Sequence, residues 1–117
     1  MARVSQAARY LMNRKKATLH NTKVVVDEKG NASMYLFGNK IAVFSADGIL
    51  YISNAGWFSV TTKSRLNDIP GVRISQRKGY WYLYDELWDG DWIALKPTIT
   101  GNTDSYIIIK QYPPRNN

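Results

Sequence analysis

The chain has 117 residues, a length suited to one compact domain, and is 44% hydrophobic and 21% charged, which argues against a disordered chain. With no cysteine it has no disulfide framework and no thiolate metal site, and its formal net charge of +7 favours anionic partners. The charge is uneven: Arg3, Arg9, Arg14, Lys15 and Lys16 open the chain without an acid, while from Asp85 onward five acids outnumber three bases.

The opening segment places Val4, Ala7, Ala8, Leu11 and Met12 on one side of a helical wheel and Arg3, Gln6, Arg9, Asn13 and Lys16 on the other. This predicts a basic amphipathic helix over 1–18, either packing on a sheet or ordering as a basic arm on an anionic partner. His20 then falls where helix passes to strand.

After His20 the period changes from helical to alternating. Strands are expected at Thr22 to Val26, Ser33 to Phe37, Lys40 to Ser45 and Ile49 to Ser53, with two-residue hairpin loops at Gly38-Asn39 and Asp47-Gly48. That register puts Met34, Leu36, Ile41, Val43, Leu50 and Ile52 on one face. The other carries Tyr35, Phe37, Ala42, Phe44, Ile49 and Tyr51, so the helix or a second sheet is expected to cover it.

Asn54-Ala55-Gly56-Trp57 reads as a turn that either exposes Trp57 or anchors it in the core. Thr61 to Asp68 reads as a short helix capped by a Thr, with Leu66 and Ile69 inward, Ser64, Arg65 and Asp68 outward, and Pro70-Gly71 ending it. Its start, with Thr61, Thr62 and Lys63, is a candidate phosphate seat.

A hairpin follows around Lys78-Gly79. A two-residue loop there sets Arg77 opposite Tyr80, Ser75 opposite Tyr82 and Arg73 opposite Tyr84, with Ile74, Trp81 and Leu83 on the reverse face. Rings that stack on bases and guanidinium groups that neutralise phosphate are what single-stranded nucleic-acid binders use. The same pairs also suit an ordinary sheet surface. Asp85, Glu86, Asp89 and Asp91 lack the spacing of a divalent-ion loop and read as turn residues. Further strands are expected near Trp92 to Lys96 and Tyr106 to Gln111.

The expected fold is mainly β: a curled antiparallel meander, as two packed sheets or a partly open small barrel, with the N-terminal helix and one short internal helix. One domain spans 1–112 and a flexible tail spans 113–117. A single histidine and no cysteine leave little for catalysis, so no enzyme activity, cofactor or metal is expected. The candidate nucleic-acid contacts are Arg65, Arg73, Arg77, Lys78, Tyr80, Tyr82, Tyr84, Trp57, Lys63, Arg9, Lys15 and Lys16. The partner is DNA or RNA, or alternatively a protein met through the same Arg, Tyr and Trp surface. No segment approaches a membrane span and none reads as a signal peptide, so no membrane partner is expected.

Five blocks carry a resemblance: Gly38-Asn39, Asn54 to Trp57, Val60 to Asn67, Gln76 to Leu83 and Trp88-Asp89-Gly90. Together they resemble a family of small, functionally uncharacterised proteins of tailed bacteriophages, with Asn-x-Gly-aromatic, Thr-Thr-x-x-Arg-Leu-Asn and Trp-Tyr-Leu patterns. Ser59 departs from the pattern, standing where Thr is frequent but keeping the hydroxyl. The resemblance implies a gene product acting in the cytoplasm of the infected bacterial host, on nucleic acid or on a host protein. It carries over no catalytic residue.

Overall fold

A computed structural model describes residues 6–97 and 106–114. The order is α1 (Ala7–Met12), β1 (Ala17–Leu19), β2 (Thr22–Val26), β3 (Ala32–Leu36), β4 (Asn39–Phe44), β5 (Leu50–Ile52), α2 (Val60–Asn67), β6 (Ile74–Arg77), β7 (Tyr80–Leu83), β8 (Glu86–Leu87), β9 (Ile93–Pro97) and β10 (Tyr106–Ile109). All pairing is antiparallel. A large sheet runs β1-β2-β3-β4-β5-β9-β10 and a small one β6-β7-β8. The β-rich class is as expected, in its two-sheet form; among the described residues neither sheet closes into a barrel.

The first helix is shorter than expected. Arg14 adopts a left-handed φ of 53°, and the Lys15 and Arg14 amides donate back to the carbonyls of Tyr10 (2.9 Å) and Leu11 (3.1 Å). That pattern terminates a helix at Met12, and by Ala17 the chain is a strand opposite Val24. Arg14 is tied down by donating to Gly30 O (3.1 Å) and Ser45 O (2.7 Å), with its guanidinium 4.2 Å from the Phe44 ring centre. The apolar stripe holds where it is described: Ala7, Ala8 and Leu11 are buried and Met12 is half-buried. Arg3, Val4 and the tail residues 115–117 lie outside the described residues.

Two of the hairpin loops differ from expectation, and so does one face. Leu36 pairs with Asn39, so the β3–β4 loop is Phe37-Gly38, with Phe37 at φ 49°. Ser45 N donates to Ile49 O (2.9 Å), making Ala46-Asp47-Gly48 a three-residue loop. Between Met34 and Tyr35 the register shifts, leaving Ile41 as an extra residue on β4. A bulge reverses the parity of everything beyond it. Ala42 and Phe44 therefore join Met34 on the core face, and Val43 turns away to Tyr51 and Ala94.

Helix α1, α2 and the small sheet all pack on the same face of the large sheet, around Val24, Met34, Leu36, Ile52, Leu66, Ile69, Trp81, Leu83 and Leu95. Nothing among the described residues forms a second layer over the opposite face. There Val43, Tyr51 and Ala94 make a small cluster edged by Ile49, Trp92 and Ile109. Among the described residues the helices and the small sheet lie on the other side, and Val43, Tyr51 and Ala94 are nonetheless buried within their own cluster.

Candidate functional site

The ribbon β6–β7 is held at its base on both strands. Asn67, at the end of α2, mimics a strand: its amide donates to Ile74 O (3.0 Å) and its carbonyl accepts from Ile74 N (2.7 Å). At the base, Tyr84 N donates to Arg73 O (3.1 Å) and the Tyr84 hydroxyl donates to Gly71 O. The tip is a two-residue loop in which Lys78 and Gly79 have φ of 53° and 84°, the twist that a right-handed hairpin requires. The pairing is Ile74 with Leu83, Ser75 with Tyr82, Gln76 with Trp81 and Arg77 with Tyr80, as the alternation predicts.

Ile74, Trp81 and Leu83 turn inward and are buried. Phe58 sits edge-on to Trp81, ring centres 5.2 Å apart. On the outer face the Arg77 guanidinium lies 4.1 Å from the centre of the Tyr82 ring, and Tyr80 beside it is 63% exposed. Leu87 pairs with Tyr82 from β8 and is exposed, an apolar neighbour that alternation within the ribbon could not reveal. Arg73 and Lys78 are exposed. An acid also intrudes: Asp85 Oδ1 is 3.9 Å from Arg77.

Two predicted contacts do not belong to this surface. Tyr84 and Asp85 take left-handed φ of 51° and 70°, which breaks the alternation and turns the Tyr84 ring against the core. Burial chiefly, with Tyr106 adding to it and Arg73 opposing, pushes the Tyr84 phenol up to about 12. Arg65 is 9% exposed rather than outward: Nε donates to Thr22 Oγ1 (3.1 Å) and its guanidinium lies 3.5 Å from Asp68. Helix α2 packs against both β4 and β6, so its buried arc is wide enough to include Arg65 beside Leu66. Ser64 is exposed and Asp68 half-exposed.

The remaining candidates are spread. Ser59, two residues before the expected start, caps α2 by accepting from Thr62 N (3.1 Å). Lys63 donates to Gln76 Oε1 (2.8 Å), on the inner side of the ribbon. Arg9, Lys15 and Lys16 are exposed, but α1 packs on β1 to β4, so they lie with that end of the large sheet. Trp57 is 59% exposed, held by the Asn54 turn, in which Gly56 N donates to Asn54 Oδ1 (2.8 Å) and Trp57 N to Asn54 O (2.9 Å). It borders a hollow of about 390 Å³ shared with Phe37, Ile41, Ser59 and Thr62, a meeting of two turns distant in sequence.

Of the four acids expected in turns, Asp85 lies in a turn and Asp89 and Asp91 in the loop before β9, but Glu86 is in strand β8, paired with Leu83. Asp89 Oδ1 accepts from Asp91 N (3.0 Å), Asp91 Oδ1 from Trp92 N (2.8 Å), and Trp88 Nε1 donates to Asp91 O (2.9 Å). Among the described residues no three His, Asp or Glu side chains gather as a metal site.

Fold and surface define a small two-sheet β protein that displays a cationic, aromatic hairpin. The family model for the Kyanoviridae Gp96 protein matches residues 2–103, and the chain belongs to that bacteriophage family. This agrees with the resemblance at the level of a small phage protein. Comparison with curated proteins and with solved structures finds no match. Among the described residues no helix is long and apolar enough to cross a membrane.

Proposed function

We propose that this phage protein is a non-catalytic binding module, acting in the cytoplasm of the infected host, whose β6–β7 ribbon takes single-stranded DNA or RNA with little sequence selectivity. The observation that carries the reading is the Arg77 guanidinium stacked 4.1 Å over Tyr82 with exposed Tyr80 beside it on one face. Arg73, Arg77 and Lys78 supply phosphate contacts, and Tyr80 and Tyr82 supply ring faces or edges worth about 1–3 kcal/mol per stacked base. Arg65 and Tyr84 drop out of the contact set because the fold uses them internally. Lys63, Trp57 and the basic groups of the first segment serve at most as outlying contacts.

Three phosphate contacts to a single strand give a salt slope near −2, so affinity should fall about twentyfold between roughly 50 and 200 mM salt. Fluorescence anisotropy with labelled single- and double-stranded oligonucleotides reads this directly. Arg77→Ala should weaken every oligonucleotide, and Tyr82→Ala should weaken single strands more than duplex. Affinity that is flat in salt and equal in both variants sinks the reading.

A second reading, capture of a host protein, is favoured by exposed Trp57 beside Phe37 at one hollow, with exposed Phe58 and Val60 close by in sequence. Aromatic anchors next to a hollow are typical of interface hot spots. A single stoichiometric host protein retained after nuclease treatment, and lost with Trp57→Ala, makes this the leading function.

A further inference from the structure

We propose a second, separate site on the outer face of the large sheet, for a nucleotide unit whose base lies on Tyr35 and Phe37 and whose phosphate is held by Lys23 and Lys40. It does not depend on the ribbon, which packs on the opposite face of that sheet. Register places four residues in one cross-strand row: Thr18 opposite Lys23, Lys23 opposite Tyr35, and Tyr35 opposite Lys40. Since Thr22, Val24 and Met34 point into the core, this row points outward.

Two lysines thus flank one tyrosine in register, and Lys40 Nζ is 5.7 Å from the centre of the Tyr35 ring. Beside the row is a concavity of about 610 Å³ bordered by Thr18, His20, Lys23, Val25, Tyr35 and Phe37, a size that suits a small ligand. Among the described residues no carboxylate lines it. Between Ala7 and Phe44 the only acids are Asp27 and Glu28, in the turn at the far end of β2. The Asp27 carboxylate is occupied there by Lys29 N (2.9 Å), Asn31 N (2.9 Å) and Asn31 Nδ2 (3.1 Å). Lys15 and Lys16, just before β1, lie at that same far end, since Ala17 pairs with Val24; at the row itself Lys23 and Lys40 make the local field positive, which calls for an anion.

Phe37 argues for a base in addition to the anion. It occupies a left-handed position in a two-residue loop where Asn, Asp or Gly would sit without strain, and the residue is 68% exposed. Its amide is anchored by donation to Asn21 O at 2.9 Å, which fixes the turn at the rim of the concavity. A strained, exposed, anchored aromatic next to paired lysines matches a flat ring carrying phosphate. Inorganic phosphate alone would leave Phe37 without a role.

The test is an amide chemical-shift titration of the whole chain with adenosine 5′-monophosphate, with adenosine and inorganic phosphate as separate arms. The expected result is saturable shifts at Thr18, Lys23, Tyr35 and Phe37 with the nucleotide, and at least about tenfold weaker binding of either fragment. Lys23→Gln, at an exposed position, should weaken nucleotide binding severalfold, and Lys23→Gln with Lys40→Gln about tenfold or more, while Arg77→Ala leaves it unchanged. Oligoadenylate binding more tightly than the mononucleotide identifies a strand as the source; equal affinity identifies a free nucleotide. Absence of saturable shifts at the row, nucleotide affinity unaltered in Lys23→Gln, or phosphate binding as well as the nucleotide, each overturns the site.

Discussion

Gly90→Ala tests how the turn that displays Trp57 is held. Gly90 has φ 87°, and a Cβ built on it falls inside contact distance of Cγ, Oδ1 and Nδ2 of Asn54, a residue only 1% exposed. Its carbonyl accepts from Asn54 N (2.9 Å) and Ser53 Oγ (3.0 Å), so the two segments cannot separate without losing bonds. An L side chain at a left-handed position costs about 1–2 kcal/mol. Displacing Asn54, and with it the Gly56 N to Asn54 Oδ1 bond, adds about 1–3 kcal/mol. A total of about 2–5 kcal/mol is a large part of the ~5–15 kcal/mol that stabilises a domain, and lowers Tm by on the order of 8–20 °C. Gly79→Ala is the internal control: φ is 84° and nothing lies within 4 Å of its Cβ, so only the conformational part applies. Urea denaturation followed by tryptophan fluorescence measures both. Equal destabilisation of the two variants, within about 0.5 kcal/mol, refutes the argument that the Asn54 contact decides the outcome.

Arg65→Met should destabilise by about 2–4 kcal/mol, because buried Thr22 and half-buried Asp68 lose their partner, while the folded fraction keeps its oligonucleotide affinity; a loss of affinity matching Arg77→Ala returns Arg65 to the binding surface. Tyr84 gives alkaline lability. Its folded pKa of about 12 lies above the ordinary 10, so the native state holds the proton more tightly, and this stability is full below pH 10 and lost as pH rises through 12. Tyr84→Phe should flatten that slope in pH-dependent melting, leaving the smaller part from Tyr51, which burial and then Asp47 also raise. Asp27 acts at the other end: the Asn31 backbone bond first, with the Asn31 side chain and the Lys29 and Gly30 amides, holds its carboxyl below the ordinary 3.8 against a desolvation that opposes. Its contribution is therefore present above 3.8 and lost as pH falls through the lowered pKa, so the Tm gap between wild type and Asp27→Ala should close on going from about pH 5 to about pH 2.

What could be read from the sequence was whatever depended on neighbours along the chain. The Lys78-Gly79 hairpin and its partners follow from turn chemistry, and the inward Leu66 and Ile69 follow from helical period. The failures share a cause: a single residue that changes parity, or a second element that widens a buried arc. Ile41, the extra residue of the bulge, sends Val43 outward and brings Ala42 and Phe44 in, though the three alternate without a break in sequence. Tyr84 leaves the ribbon's outer face because it and Asp85 turn left-handed, a conformation that Asp tolerates but that a tyrosine does not signal. Arg65 is buried because α2 lies in the corner between two sheets, and no local pattern reports a corner. β1 and β8 escaped because three and two residues are too few to show a period.

The two cationic surfaces differ in a way that the net charge of +7 conceals. At the ribbon, Asp85 is 3.9 Å from Arg77 and exposed, and Glu86, Asp89 and Asp91 follow within a few residues. Part of the ribbon's positive field is therefore neutralised before any polyanion arrives, and both members of the exposed pair are screened by salt. Among the described residues no acid lines the concavity beside the row Lys23, Tyr35 and Lys40. For equal numbers of cations the row should draw an anion more strongly, whereas the ribbon must rely on its rings. Asp85→Asn separates these contributions: it removes competition for Arg77 and should strengthen oligonucleotide binding at low salt, while nucleotide-induced shifts at Lys23 and Tyr35 stay where they are. Movement of both together would mean that the two faces are not independent.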